Sequence, residues 1–257
     1  MQSAKRDPSF TNERIYDIGM HNGQDTAFYL KKGFTVVAIE ANPLLVARAA
    51  SRFRRFIERG QLHVEAAGIA EYPKAESLKF YVNQRVSEWS SFDRALAERG
   101  SSPVSEVSVA TTTLSALLDK FGPAYYVKID IEGLDRAALA SLLASRHRPR
   151  YVSVENGHQG MLRMLTDAGY DSFKYVQQRH LSRLRLPQPA GEGRDIVHQF
   201  PRGCSGPFGE EAPGEWQSAA EMKDIIGRYW DVEGSSAKPS HSERVNGWFD
   251  LHARYPT

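Results

Sequence analysis

YDIGMHNGQDT, residues 16–26, decides how this chain is read. The apolar run RIYDIG at 14–19 halts at a glycine, and AFYLKKG at 27–33 has helical apolar spacing with Gly33 as its stop. The local order is therefore strand, loop, helix. Within the loop the pattern is D-x-G-x-x-x-G, in which glycines let the backbone turn and approach a ligand closely, while the helix behind offers free N–H groups. A dinucleotide fingerprint needs G-x-G-x-x-G for its pyrophosphate. Gly19 and Gly23 stand four apart with His21 between them, so a nucleoside without pyrophosphate fits better than a nicotinamide dinucleotide.

Working outward, FTVVAIE at 34–40 is β-branched and almost continuously apolar, as a strand buried on both faces of a parallel sheet requires. Glu40 ends it, where a carboxylate can accept both hydroxyls of a ribose. Asn42 and Pro43 then open a helix expected to reach Gly60. Further strands are expected at 62–68, 124–133 and 150–157, with a helix at 134–145. SLKFYVNQRVSEWSSF at 77–92 alternates like an edge hairpin, and Thr113 is placed to cap a helix running to Gly122. Residues 181–247 interrupt the rhythm with many Pro and Gly residues and one helix near 216–230. This stretch is read as a lid or substrate-binding insertion, with a rigid structural insertion as the alternative. NGWFDLHA at 246–253 returns to a strand pattern. Strands alternating with helices make one domain over 1–257, an α/β doubly wound sheet with an insertion before the last strand.

DIGMHNGQDT, VVAIEANP, TTLSALL and YVKIDIEGLD, in this order and spacing, resemble the FkbM family of S-adenosylmethionine-dependent methyltransferases over roughly 14–175. The resemblance implies the Rossmann-like class I methyltransferase fold, a seven-stranded, mostly parallel sheet whose last strand is antiparallel. It also implies S-adenosylmethionine as cofactor. Asp17, Gly19 and Gly23 would hold its methionine end with Met20, Asp25 and Thr26 beside them. Glu40 would bind ribose with Ala41 next to it, and Ala66 and Ala67 would flank adenine. Turn and capping chemistry alone is the competing reading of the glycine loop, and tight strand-end packing that of the alanines.

Methyl transfer is an in-line displacement, so positioning supplies most of the catalysis, and a base is needed only where the acceptor holds its proton tightly. Asp130 ends the fourth strand of that sheet, and Glu155 and Asn156 end the fifth. Their oxygens are expected to converge, as a general base, as acceptor-binding groups or as hard ligands for Mg²⁺. His21 and His158 are further candidate bases, with solvated loop positions as the alternative. Glu132 is read as a helix cap, Lys128 as the partner of an acid, His252 as packed, and Trp89, Ser90 and Ser91 as either a cover for the ligand or a loop anchor.

With 33 Lys plus Arg against 31 Asp plus Glu, the formal charge is +2, which gives sequence-independent nucleic-acid binding no electrostatic support. No apolar run approaches the roughly 20 residues of a membrane span. The lone Cys204 and the opening MQSAKRDPSF, without a signal-type apolar stretch, suggest a cytoplasmic setting. The expected partner is a small hydroxylated acceptor, a sugar or secondary metabolite, methylated on oxygen. A nucleoside-binding scaffold without transfer chemistry is the alternative, and a nicotinamide oxidoreductase a weaker one.

Overall fold

The computed structural model describes residues 13–71, 77–229 and 248–256. Strands β1 (Arg14–Ile18) and β2 (Thr35–Glu40) pair in parallel around helix α1 (Gln24–Lys31). Asn42 caps α2 (Pro43–Arg52) by accepting the Leu44 N–H at 3.0 Å. The helix expected to continue to Gly60 breaks at Phe53 and resumes as α3 (Arg54–Glu58). Phe53 is 4% exposed, and its ring lies under Gly23, so close that a Cβ on that glycine would meet it. β3 (Leu62–Ala66) completes this flank of the sheet.

The chain then leaves the sheet. β4 (Gly68–Ile69), β5 (Ser77–Asn83) and β6 (Val104–Thr112) form a separate three-stranded sheet in the order β4-β6-β5. The hairpin expected within 77–92 is thus replaced: β5 pairs along its whole length with β6, antiparallel from Ser77↔Ala110 to Asn83↔Val104. Only an isolated Tyr81↔Ser91 bridge joins the two ends of the expected hairpin. Asn83 explains the departure. Its side chain accepts the N–H groups of Arg85 and Val86 and donates to Ala97, which turns the chain out of the strand towards α4 (Arg94–Ala97).

Thr113 caps α5 (Leu114–Phe121) as expected, accepting the Ala116 N–H at 3.1 Å. β7 (Tyr126–Ile129), α6 (Asp135–Leu143), β8 (Tyr151–Glu155), α7 (Gln159–Asp167), β9 (Ser172–Gln177), α8 (Ala219–Gly227) and β10 (Phe249–Arg254) follow. The main sheet has seven strands in the order β3-β2-β1-β7-β8-β10-β9, with β10 antiparallel to both neighbours, in agreement with the sheet that the resemblance implies. Chain order reverses between β1 and β7, which opens a crevice at the carboxyl edge. No helix of the described residues is long and apolar enough to cross a membrane.

One face of this sheet is covered by α5, α6, α7 and α8 through an apolar cluster that includes Leu117, Leu142, Leu165 and Met222. The other face is covered by α1 and α2 over β1 and β2, and by residues 184–212 farther along. These residues belong to the interrupting stretch, of which 181–229 are described; residues 230–247 lie outside the described residues. Phe208 is its anchor, stacked on Tyr126 at 4.2 Å between ring centroids and edge-on to Tyr29, Phe34 and Tyr151. Beside it a buried Lys32–Glu211 ion pair at 2.8 Å is completed by the Gly191 and Glu192 N–H groups, which also donate to Glu211. Such a pair is tolerable in the interior only with its remaining hydrogen bonds made.

The same face carries polar groups under this cover. The Asp250 carboxyl accepts from Gln178 at 2.7 Å through Oδ1, while Oδ2 is buried without a hydrogen-bond partner. Burial and the nearby Asp130 charge push its pKa from 3.8 up to about 8. His252 is packed as expected, and burial takes its pKa down to about 3.

Phe208→Ala is expected to destabilise the fold by about 3–5 kcal/mol in urea denaturation, the range for emptying a large aromatic site. A loss below about 1 kcal/mol would mean that residues 184–212 are not part of the core. Asp250 generates a second expectation. The folded chain holds this proton to higher pH than the unfolded chain does, so the contribution of Asp250 to stability falls as pH rises from 3.8 towards about 8. Asp250→Asn removes the slope: its stability relative to the parent should climb across that interval and level off above it. A difference that does not vary with pH would contradict this assignment.

Candidate functional site

A cleft of about 580 Å³ lies at the carboxyl edge of the main sheet, within the size range of small-molecule sites. Its floor comes from the ends of β1, β2, β7 and β8, its roof from residues 86–92. Gly19 turns the chain out of β1 with φ +84°, a conformation that favours glycine, and a Cβ here would overlap the Asp130 carbonyl oxygen. The loop therefore lies directly on the end of β7.

Glu40 sits 8% exposed at the cleft wall. Its Oε1 accepts the Asn42 N–H at 2.7 Å and its Oε2 the His21 N–H at 2.8 Å. Burial raises its pKa, against these two donors. Each oxygen retains accepting capacity beyond its one backbone bond. His21 also reaches the roof, with Nε2 2.8 Å from Ser87 Oγ, and burial lowers its pKa, favouring the neutral ring.

Lys128 lies beneath the floor, 3% exposed at its side chain. Its Nζ is 3.2 Å from Asp17 Oδ1, 3.0 Å from the Gly19 carbonyl, 3.6 Å from Asp130 Oδ2 and 3.9 Å from Asp25 Oδ2. Burial opposes its charge, but the carboxylates of Asp17, Asp130 and Asp25 outweigh it and hold the ammonium well above the usual lysine value. The expected pairing with an acid is thus a cluster of three. Asp25 is buried, and burial pushes its pKa to about 6 although it accepts the Ser205 and Gly206 N–H groups. Thr26 donates to Asp17 at 2.5 Å.

Of the residues singled out in the sequence, Gly19, His21, Glu40, Ala41, Ala67, Asp130 and Glu155 line the cleft together. Asp17, Asp25 and Thr26 stand behind the loop and hold it, Met20 packs into the apolar cluster with α1, and Gly23 rests on Phe53. Ala66, at the exposed end of β3, does not line the cleft, nor do Asn156 and His158. The Asn156 backbone bonds to Phe249, and the His158 ring caps α7 by accepting the Gly160 N–H at 3.1 Å. Glu155 is buried and faces the cleft, where burial and the charges of Asp130 and Asp135 drive it far towards its protonated form. Among the described residues, no three His, Cys, Asp or Glu side chains gather as a metal-ligand group. The oxygen set expected to hold Mg²⁺ is not brought together, because Asn156 does not line the cleft with Asp130 and Glu155, and Lys128 stands beside Asp130.

Glu132 does not cap the helix as expected. α6 has no side-chain cap; Asp135, its first residue, instead holds the preceding turn by accepting the Ile131 and Gly133 N–H groups, while Glu132 pairs with Arg99, which lies 5.2 Å over the Trp89 ring. Arg99, Gln178, Arg202 and Trp248 line the cleft without having been singled out. Gln178 follows the last residue of β9, so a strand-end rule applied to every strand would have found it. Arg99 and Arg202 lie in irregular chain, where no periodicity points to them.

Residues 17–172, more than half of the chain, match the family model of the methyltransferase FkbM domain. Among solved structures, the methyltransferase FkbM from Methylobacillus flagellatus KT is similar at 16% identity, over 61% of this chain and 35% of that one, with a TM-score of 0.38. The precorrin-6y C5,15-methyltransferase from Geobacter metallireducens GS-15 is similar at 11% identity over 95% and 80%, with a TM-score of 0.41. The N-methyltransferase NodS from Bradyrhizobium japonicum WM9 is similar at 10% over 97% and 89%, with a TM-score of 0.40. This chain spans about a third of the length of the Methylobacillus protein. No curated protein matches the sequence. With its seven-stranded class I methyltransferase sheet, the chain belongs to the FkbM methyltransferase family.

Proposed function

We propose that the cleft binds S-adenosylmethionine and that the chain methylates a hydroxyl of a small acceptor, a sugar or secondary metabolite. The observation that carries this reading is Glu40: a buried carboxylate at the cleft wall, fixed by two backbone donors and still able to accept from a ribose diol. Ala41, Leu45, Ala67 and Ile69 provide the apolar slot beside it for a base. The loop around Gly19 and His21 leads from there towards Asp130, which gives the nucleoside its direction.

When bound, the cofactor supplies a methyl group on a positively charged sulfur. The protein contributes the attack geometry and a place for the proton. Asp130 lines the cleft with its side chain 29% exposed and with Lys128 beside it, so its carboxylate is held in place yet open to a ligand. Its carboxylate would take the acceptor's hydroxyl proton, and the methyl group would pass to that oxygen as its bond to sulfur breaks and the sulfur leaves as a neutral thioether. Glu155, held towards its protonated form, and Gln178 orient the acceptor by hydrogen bonds. Trp89 and Trp248, which line the cleft, offer apolar ring faces to its carbon skeleton.

Titration calorimetry with S-adenosylhomocysteine tests the reading. Glu40→Ala should weaken binding by roughly 1.5–3 kcal/mol, the worth of hydrogen bonds to a charged group. Equal affinity in the variant and its parent, or no binding by the parent, would overturn it.

A further inference from the structure

The turn at residues 201–203 is pinned on both sides to α1. Before it, Phe200 is buried and its ring meets Phe28 edge-on at 4.9 Å. After it, the Ser205 and Gly206 N–H groups donate to the two Asp25 oxygens at 3.0 and 3.2 Å, in the first turn of α1. The Cys204 thiol donates across the turn to the Pro201 carbonyl at 3.0 Å. α1 follows directly on the glycine loop, so the tip of the turn stands beside that loop, with Arg202 and Gly203 lining the cleft.

Charge makes Arg202 distinctive. The cleft is lined by the carboxyl groups of Glu40, Glu88, Asp130, Glu132 and Glu155. Of its two arginines, Arg99 is taken up by Glu132. Arg202 is exposed and, among the described residues, has neither an ion pair nor a hydrogen bond. A ligand that brings a carboxylate into such surroundings needs a cation for it. S-Adenosylmethionine carries one anionic group, the α-carboxylate of its methionine end, and a guanidinium matches a carboxylate with two parallel hydrogen bonds.

We infer that Arg202, from outside the glycine loop and its flanking strands, is the clamp for the cofactor's α-carboxylate. The inference rests on the reading that the cleft binds S-adenosylmethionine. It gives the chain after β9 a part in cofactor binding: Asp25 fixes the segment through its backbone, and the segment returns an arginine to the ligand.

Calorimetry on the full chain with two ligands separates the possibilities. One is S-adenosylhomocysteine; the other is S-adenosyl-3-thiopropylamine, the same molecule without its carboxylate. Arg202→Ala should weaken the first about ten-fold or more and leave the second within about two-fold, since only the first has a group for the guanidinium to hold. Equal weakening of both ligands, or of neither, would overturn the clamp while leaving the nucleoside reading in place. If the parent binds neither ligand, the nucleoside reading falls and the clamp falls with it.

Discussion

A single buried ammonium, that of Lys128, ties together the parts from which the cleft is made. Stripped of water, it is tolerable only beside opposite charge, and it meets Asp17 on β1, Asp25 on α1 and Asp130 at the end of β7. It also donates to the Gly19 carbonyl, in the loop between β1 and α1. The stretch 17–25 is thereby held against the end of β7 at the point where the strand order reverses. The loop cannot drift from β7, because Gly19 is already in contact with the Asp130 backbone.

From this centre the constraints spread in two directions. Asp25 shares its charge between Lys128 and the backbone of residues 205 and 206, so the cover over the second sheet face is registered against the same cluster. Over β7 and β8 on that face, the aromatic packing of Phe208 on Tyr126 and Tyr151 does the covering. In the other direction His21 links the loop to the roof through Ser87, and Glu40 links it to the cap of α2. The walls of the cleft are thus supported by groups that also belong to the core.

How far this was legible in the sequence follows from the range of the interactions. The glycine loop, the buried strand ending in Glu40 and the strand ending in Asp130 are local patterns, and their positions at one sheet edge follow from the alternation of strands and helices. The partner of β5 was not legible, because two alternating stretches look alike whether they pair with each other or with a strand twenty residues on. The break at Phe53 was hidden as well, since the sequence stays helical in composition and the reason for the kink is a ring packed under Gly23. Convergence was overestimated at the end of β8: Glu155 reaches the cleft, while Asn156, with φ +50°, and His158 turn to backbone contacts. Arg99 and Arg202 were invisible because their place depends on irregular chain held by tertiary contacts.

The central claim is that one cleft places a nucleoside with its ribose on Glu40 and its reactive sulfur towards Asp130. A crystal structure of the chain with S-adenosylhomocysteine bound measures this directly. The account predicts the ribose hydroxyls within hydrogen-bond distance of Glu40 and the sulfur facing the space between Asp130 and Glu155. A nucleoside bound elsewhere, or in this cleft with its ribose turned away from Glu40, would contradict it.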